Sequence, residues 1–107
     1  MQKQKLIELK EPKLYHGCVF RAAARPPNAP RVDLMLFDTQ SEERPYGLMV
    51  VSGYKAGLIF LRLPKESCGS DGGGGVETAW MIANWNKFYL DCDVAEVEWI
   101  EQYEIVD

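Results

Sequence analysis

The sharpest reactive pair in this sequence is His16, the only histidine, with Cys18 two residues further on. A neighbouring imidazole can take the proton of a thiol and make it a nucleophile. Cys18, however, falls in an apolar segment, where a buried and inert thiol is the more common arrangement. No recognised catalytic motif surrounds the pair. We therefore predict no catalytic residue and no enzymatic activity, with His16 in a structural or surface role.

The sequence also gives no support for a metal site or a cofactor site. The three cysteines, Cys18, Cys68 and Cys92, lack CxxC spacing, which favours free thiols, and the acidic residues lack the spacing of a calcium loop. Residues 72–75 are four consecutive glycines, but the Lys-Ser/Thr that completes a phosphate-binding loop does not follow them. We expect no metal, no cofactor and a tolerant surface connection at the glycines.

Charge is unevenly distributed around a net value of −4. Residues 1–31 contain seven Lys or Arg and two Glu, whereas residues 91–107 contain seven acids and no base. Such a segment would repel phosphates, which argues against direct nucleic-acid binding, and it suits a basic protein partner. A merely solvated acidic strand and tail is the alternative. The candidate partner-binding residues are Asp91, Asp93, Glu96, Glu98, Glu101 and Glu104, then Asp38, Glu42 and Glu43, and lastly Tyr54 and Lys55 at a hairpin tip.

These residues depend on a central hairpin for their positions. Residues 48–51 and 58–61 are apolar runs on either side of a polar, glycine-containing segment, which predicts two strands joined by a turn. Because neither run alternates strictly, we expect both strands to be central and covered on both faces. Other strands are predicted at residues 6–9, 14–24, 31–39 and 94–106. The last is expected at a sheet edge, with Glu96 and Glu98 on its acidic outer face.

One helix is predicted, at about residues 76–90. Its apolar side chains recur at the spacing of a single helical face and would cover the hairpin: Met81, Ile82, Trp85, Phe88 and Tyr89. The expected fold is α+β, a mostly antiparallel sheet of about five or six strands with one packed helix, in a single domain over residues 1–107. The sequence has no apolar run long enough for a membrane span, so we expect a cytoplasmic protein without membrane contact.

Two stretches resemble a known class of proteins. GYKAGLIFLRLPKES at residues 53–67 and W-x3-NWNK at residues 80–87, with RVDLMLF at residues 31–37 upstream, resemble small immunity proteins of bacterial polymorphic toxin and contact-dependent growth inhibition systems. The likeness covers roughly residues 6–100 and excludes the glycine tract. It implies a cytoplasmic antidote that binds a cognate toxin domain, often a nuclease, and blocks its active site. The shared motifs are packing motifs, so no contact residue follows from them.

Electrostatics supplies the site hypothesis instead. A nuclease domain needs a positive cleft for its substrate, and an acidic surface could occupy that cleft in place of phosphate. The alternative is a non-catalytic ligand-binding or regulatory α+β module, which could form a homodimer through an edge strand. A small enzyme using His16 is the third and weakest hypothesis.

Overall fold

A computed structural model of the chain describes residues 3–24, 30–53, 55–70 and 74–102. Within these ranges, six strands form an antiparallel sheet in the order β1-β8-β3-β4-β5-β6, and two short strands, β2 and β7, pair separately. The strands are β1 (Lys3–Lys5), β2 (Lys13–Leu14), β3 (Val19–Ala23), β4 (Arg31–Asp38), β5 (Tyr46–Val50), β6 (Ile59–Arg62), β7 (Val76–Glu77) and β8 (Glu98–Ile100). The helix α1 (Thr78–Phe88) lies between β7 and β8 in the chain. The α+β class and its antiparallel sheet are therefore confirmed.

The core lies between α1 and one face of the sheet. Trp85 of α1 is fully buried, and its ring centroid lies 5.7 Å from that of Phe20 on β3. Leu34, Leu36 and Leu48 are fully buried in the same cluster. In β4 the leucines alternate with half-buried Met35 and Phe37, because successive strand residues point to opposite faces. The apolar period of each element thus determines which of its faces joins the core.

The predicted helix is confirmed with shorter bounds. Val76 and Glu77 pair with β2 as a strand before α1 begins, and the Thr78 hydroxyl donates to the Glu11 carbonyl. Beyond Phe88 the backbone becomes extended at Tyr89. No helix in the described ranges is long and apolar enough to cross a membrane.

The hairpin of β5 and β6 is also confirmed, and β4 pairs with β5 on the other side. The expectation that both hairpin strands are central is wrong for β6. This strand lies at the end of the sheet order, and Ile59 and Phe60 within it are exposed. A short apolar run does not distinguish an interior strand from an edge strand, because both need one buried face.

Three other segments differ from the predictions. Residues 6–9 contain a 3-10 turn at Leu6–Glu8, and the first strand precedes it at Lys3–Lys5. Residues 14–24 divide into β2 and β3 around a turn in which Gly17 has a φ of 100°. The predicted strand at 94–106 begins as a 3-10 turn at Val94–Glu96 and contains only the three residues of β8 within the described part of the chain.

The acidic edge strand is the most consequential error. β8 lies between β1 and β3, so it is an interior strand, and Glu96 does not share a strand face with Glu98. Trp99 and Ile100 are both buried although they point to opposite faces, so β8 is covered on both sides at these two positions. The pairing of β8 with the chain's first strand is a long-range contact that local periodicity could not reveal.

Candidate partner-binding surface

The candidate residues lie at two opposite ends of the sheet. β4 runs from Arg31 to Asp38, and the strand register places every loop at one end or the other. At the Arg31 end lie Lys55, Asp91, Asp93 and Glu96; at the Asp38 end lie Glu42, Glu43 and Glu101 with Asp38 itself. Tyr54 and Glu104 are outside the described residues. The acidic residues therefore do not form one continuous surface.

Two of the acids form ion pairs with the N-terminal strand. The Lys5 Nζ lies 3.2 Å from a carboxylate oxygen of Glu96, and the Lys3 Nζ lies 3.7 Å from one of Glu98. Exposed pairs of this kind stabilise a fold little, but each lysine cancels the local charge of its partner. Much of the negative field expected from this part of the chain is thus neutralised by β1.

A row of alternating charges crosses the sheet on the face turned away from α1. By register, Lys5 lies opposite Glu98, Glu98 opposite Arg21, and Arg21 opposite Asp33. The Arg21 guanidinium donates twice to the Asp33 carboxylate, at 2.8 and 2.9 Å. The side chains of Arg21 and Asp33 are only 18% and 9% exposed. Glu98 therefore belongs to a structural charge row. Arg21 and Asp33 were not among the residues predicted from the sequence.

The loop between α1 and the 3-10 turn at Val94–Glu96, residues 89–93, carries Asp91 and Asp93 at the Arg31 end. Asn86 of α1 positions this loop with one side chain. Its Nδ2 donates to the carbonyl oxygens of Tyr89 and Cys92, at 3.0 and 2.9 Å, and its Oδ1 accepts from the Val94 amide at 3.0 Å. The loop is thus fixed to the helix, and we call it the Asn86 loop.

The two aspartates of the Asn86 loop are exposed. The Asp93 carboxylate caps the following turn by accepting from the Ala95 amide at 2.9 Å. Leu90, between Tyr89 and Asp91, is 80% exposed, the highest value among the large apolar side chains described. An acidic and apolar segment therefore projects from a rigid attachment, an arrangement that reduces the ordering cost of binding.

A cleft opens between the Asn86 loop, the Arg31 end of β4 and the β5–β6 hairpin. Among the residues that line it are Arg31, Lys55, Phe60, Tyr89 and Asp91. The structure thus brings two of the predicted residues, Lys55 and Asp91, to one site. The cleft itself has mixed charge, whereas Asp93 extends the acidic character outside it.

Tyr89 forms the wall between the cleft and the core. Its ring packs on Trp85 and on Phe60, with centroid distances of 5.4 and 5.8 Å, and its hydroxyl donates to the Ala23 carbonyl. Burial, and then the negative charge of Asp91, raise the pKa of Tyr89 to about 12. Both effects disfavour the phenolate, so Tyr89 remains a neutral donor at ordinary pH.

The Asp38 end has a different construction. The Asp38 amide donates to the His16 Nδ1 at 2.9 Å, so this nitrogen is an acceptor and a neutral imidazole carries its proton on Nε2. Asp38 also accepts from the Gln40 amide at 2.7 Å, in the turn that leads to exposed Glu42 and Glu43. His16 is accordingly engaged in a structural contact with the backbone of β4.

The Cys18 thiol does not fit a nucleophilic role. Cys18 is buried, and burial raises its pKa to about 11, with only partial opposition from the neighbouring Trp99 indole. A thiol with this pKa stays protonated near neutral pH, and the thiolate is the reactive form. In the described part of the chain, no three His, Cys, Asp or Glu side chains are grouped to hold a metal ion.

The chain matches a known protein family along most of its length. A family model described as immunity protein 45 matches residues 6–99, which begin directly after β1 and include the strands from β2 to β7, the whole of α1 and β8 up to Trp99. No curated protein and no solved structure matches the chain. Because the family model covers most of the 107 residues, this chain belongs to the immunity protein 45 family.

Proposed function

We propose that this protein binds a cognate bacterial toxin domain and blocks its active site without chemistry of its own. Membership of the immunity protein 45 family is the observation that carries the proposal. Immunity proteins act on a toxin partner, and the reactive pair found in the sequence supports no competing enzymatic role. The Cys18 thiol is held in its protonated form, and the His16 Nδ1 is occupied by the backbone of β4.

The proposed toxin is a nuclease domain of a polymorphic or contact-dependent growth inhibition system. Nucleases bind a polyanion, so their active sites need positive charge that an acidic inhibitor can engage. The exposed aspartates of the Asn86 loop, Asp91 and Asp93, support such a contact. Glu96 and Glu98 each form an ion pair with a lysine of β1, so part of their negative charge is neutralised within the protein.

Stoichiometric inhibition tests the proposal directly. The toxin domain encoded immediately upstream of this chain would be purified and titrated with the protein while cleavage of a fluorescent RNA or DNA is followed. We expect activity to disappear at one equivalent and cells expressing both proteins to survive. If far less than one equivalent of the protein abolished the toxin's activity, the protein would act catalytically, and this result would contradict the proposal. So would a toxin whose activity is unchanged by an excess of the protein.

Salt dependence tests the electrostatic part. An acidic surface that meets a basic active site accelerates association, and this acceleration decreases as ions screen the charges. We expect the association rate constant to fall by about 10-fold or more between low and high salt. An association rate that is independent of salt would be compatible with inhibition, but it would contradict a contact through the acidic surface.

A further inference from the structure

Large apolar side chains are exposed on the strand at the sheet's edge. Leu58, directly before β6, is 59% exposed, and Phe60, the second residue of β6, is 40% exposed. Leu90 of the Asn86 loop is 80% exposed. Single exposed apolar residues are common on protein surfaces, but neighbouring groups of them mark interaction sites.

One of these three residues lines the cleft, and the other two are within two residues of its lining in the sequence. Phe60 lines the cleft and packs on Tyr89, with ring centroids 5.8 Å apart. Leu58 precedes Phe60 by two residues, and Leu90 lies between Tyr89 and Asp91, which both line the cleft. The hairpin and the Asn86 loop therefore present Leu58, Phe60 and Leu90 at the same end of the sheet. We call them the apolar triad.

The edge of β6 is partly protected against the addition of another strand. The Arg44 guanidinium donates to the Arg62 carbonyl at 3.2 Å, and a register shift at Leu48/Met49 interrupts the regular pairing of β5 with β6. Bulges and charged groups at an edge oppose strand addition. The apolar triad is thus suited to contact through side chains rather than through an extended β-sheet.

Charge beside the triad indicates the chemistry of the partner. Leu90 is followed directly by Asp91 and, two residues later, by Asp93, and both aspartates are exposed. Productive interfaces place an apolar centre inside a polar border, and their charges complement those of the partner. A partner that covers the triad would therefore have apolar side chains, with basic ones next to them where it faces the two aspartates and not where it faces Arg31 and Lys55 of the cleft.

We propose that the apolar triad is the centre of the toxin-contact surface and that Asp91 and Asp93 form its acidic border. The occupant is the basic toxin domain, so this inference rests on the proposed function. The rigid attachment of the Asn86 loop supports it, because a preformed contact residue loses little conformational freedom on binding. Leu90 is then the most accessible anchor and Phe60 the base of the contact.

The test compares exposed apolar residues at the two ends of the sheet. The double variant Leu58→Ser with Leu90→Ser removes two members of the triad, and Phe60 is left because it packs on Tyr89. Tyr15→Ser is the control, since Tyr15 is 57% exposed on the Asp38 side of β3. Affinity for the upstream-encoded toxin domain, made inactive by mutation, would be measured by calorimetry alongside urea unfolding of each variant.

We expect the double variant to weaken binding by about 30-fold or more, as loss of interface hot spots does, and Tyr15→Ser to change it less than about 3-fold. If the double variant is unstable, Leu90→Ser is used, because its side chain is almost fully in water. Equal affinities of the wild type and the stable variant would overturn the inference while leaving the proposed function intact. A wild type that does not bind the toxin would overturn both.

Self-association is distinguished by mass. The mass of each protein would be measured by light scattering. If the wild type is a dimer and the variant is a monomer with unchanged toxin affinity, the triad contacts a second copy of the chain and the inference is overturned. A monomeric wild type whose toxin binding depends on Leu58 and Leu90 supports it.

Discussion

Asn86 and Trp85 donate to the same acceptor, the carbonyl oxygen of Cys92, at 2.9 and 3.3 Å. Trp85 is fully buried against Phe20, so the helix that fills the core also determines the path of the chain after it. The W-x3-NWNK stretch thus has a physical explanation. Its second tryptophan, Trp85, packs in the core of the domain, and its second asparagine, Asn86, positions the Asn86 loop.

Removing the Asn86 amide should release that loop. Asn86→Ala deletes three hydrogen bonds to residues 89–94, and we expect a loss of about 1–3 kcal/mol in the free energy of unfolding. Amide exchange at Val94 should accelerate, and toxin affinity should fall by more than the stability of the fold explains. Urea unfolding and hydrogen exchange provide the two measurements.

The matched control is Asn84→Ala. The Asn84 amide donates to the Trp80 carbonyl within the same helix, at 2.9 Å. This variant should cost at most about 1 kcal/mol and leave toxin affinity unchanged. Equal effects of the two variants on binding would mean that the loop's position is irrelevant to the partner.

Charge removal at the two ends of the sheet should have unequal effects. Asp91→Asn with Asp93→Asn and Glu42→Gln with Glu43→Gln each remove two negative charges, and asparagine can still cap the turn after Asp93. We expect the first pair to slow toxin association by about 3- to 10-fold at low salt and the second to change it little. Stopped-flow measurements would give the association rate constant of each double variant with the toxin. A larger effect from the two glutamates would place the contact at the Asp38 end.

The Arg21–Asp33 pair should matter for stability and not for binding. Asp33→Ala removes the two carboxylate oxygens that accept from the half-buried Arg21 guanidinium, and we expect a loss of about 3 kcal/mol, the lower end of the range for buried pairs. Replacing both residues, with Arg21→Met and Asp33→Leu, should restore most of that loss. Urea unfolding of the single and double variants measures it, and an additive loss in the double variant would contradict the expected coupling.

Alkaline pH should destabilise the fold through Tyr89. Its pKa is about 12 in the folded protein and near 10.0 as a free side chain, so between these values the folded state binds more protons than the unfolded chain. The associated stability is complete below pH 10 and is lost as pH rises towards 12. Unfolding measured across this range should become less pH-dependent in Tyr89→Phe.

The same variant also loses the hydrogen bond to the Ala23 carbonyl, which should cost about 1 kcal/mol at pH 7. A residual decrease between pH 9 and 11 is expected from Cys18, whose raised pKa has the same sign. An unaltered alkaline profile in Tyr89→Phe would show that the hydroxyl does not titrate in the folded state.

The sequence predicts the helix, the central strands and the α+β class because apolar period is a local property. The stripe around Trp85 and the alternation in β4 each determine an element without reference to distant residues. The position of β8 in the sheet, by contrast, is not a local property. It depends on pairing Lys3–Lys5 with Glu98–Ile100, and nothing within either segment specifies the other.

The candidate site follows the same division. Asp91, Asp93 and Lys55 could be selected from charge and a hairpin signal, and they lie at one end of the sheet. The neutralisation of Glu96 by Lys5, the three hydrogen bonds of Asn86 and the exposure of Leu90 all require the tertiary structure. An exposed leucine and a buried one are identical in sequence, which is why the apolar triad was not predicted.

Hydrogen exchange of the complex with the upstream-encoded toxin domain tests the central claim most directly. We expect toxin-dependent protection of residues 55–60 and of the Asn86 loop at 89–93. We expect no change in the turn at residues 39–44, at the opposite end of the sheet. Protection confined to residues 39–44 and 101–102, with the hairpin and the Asn86 loop exchanging as in the free protein, would contradict it.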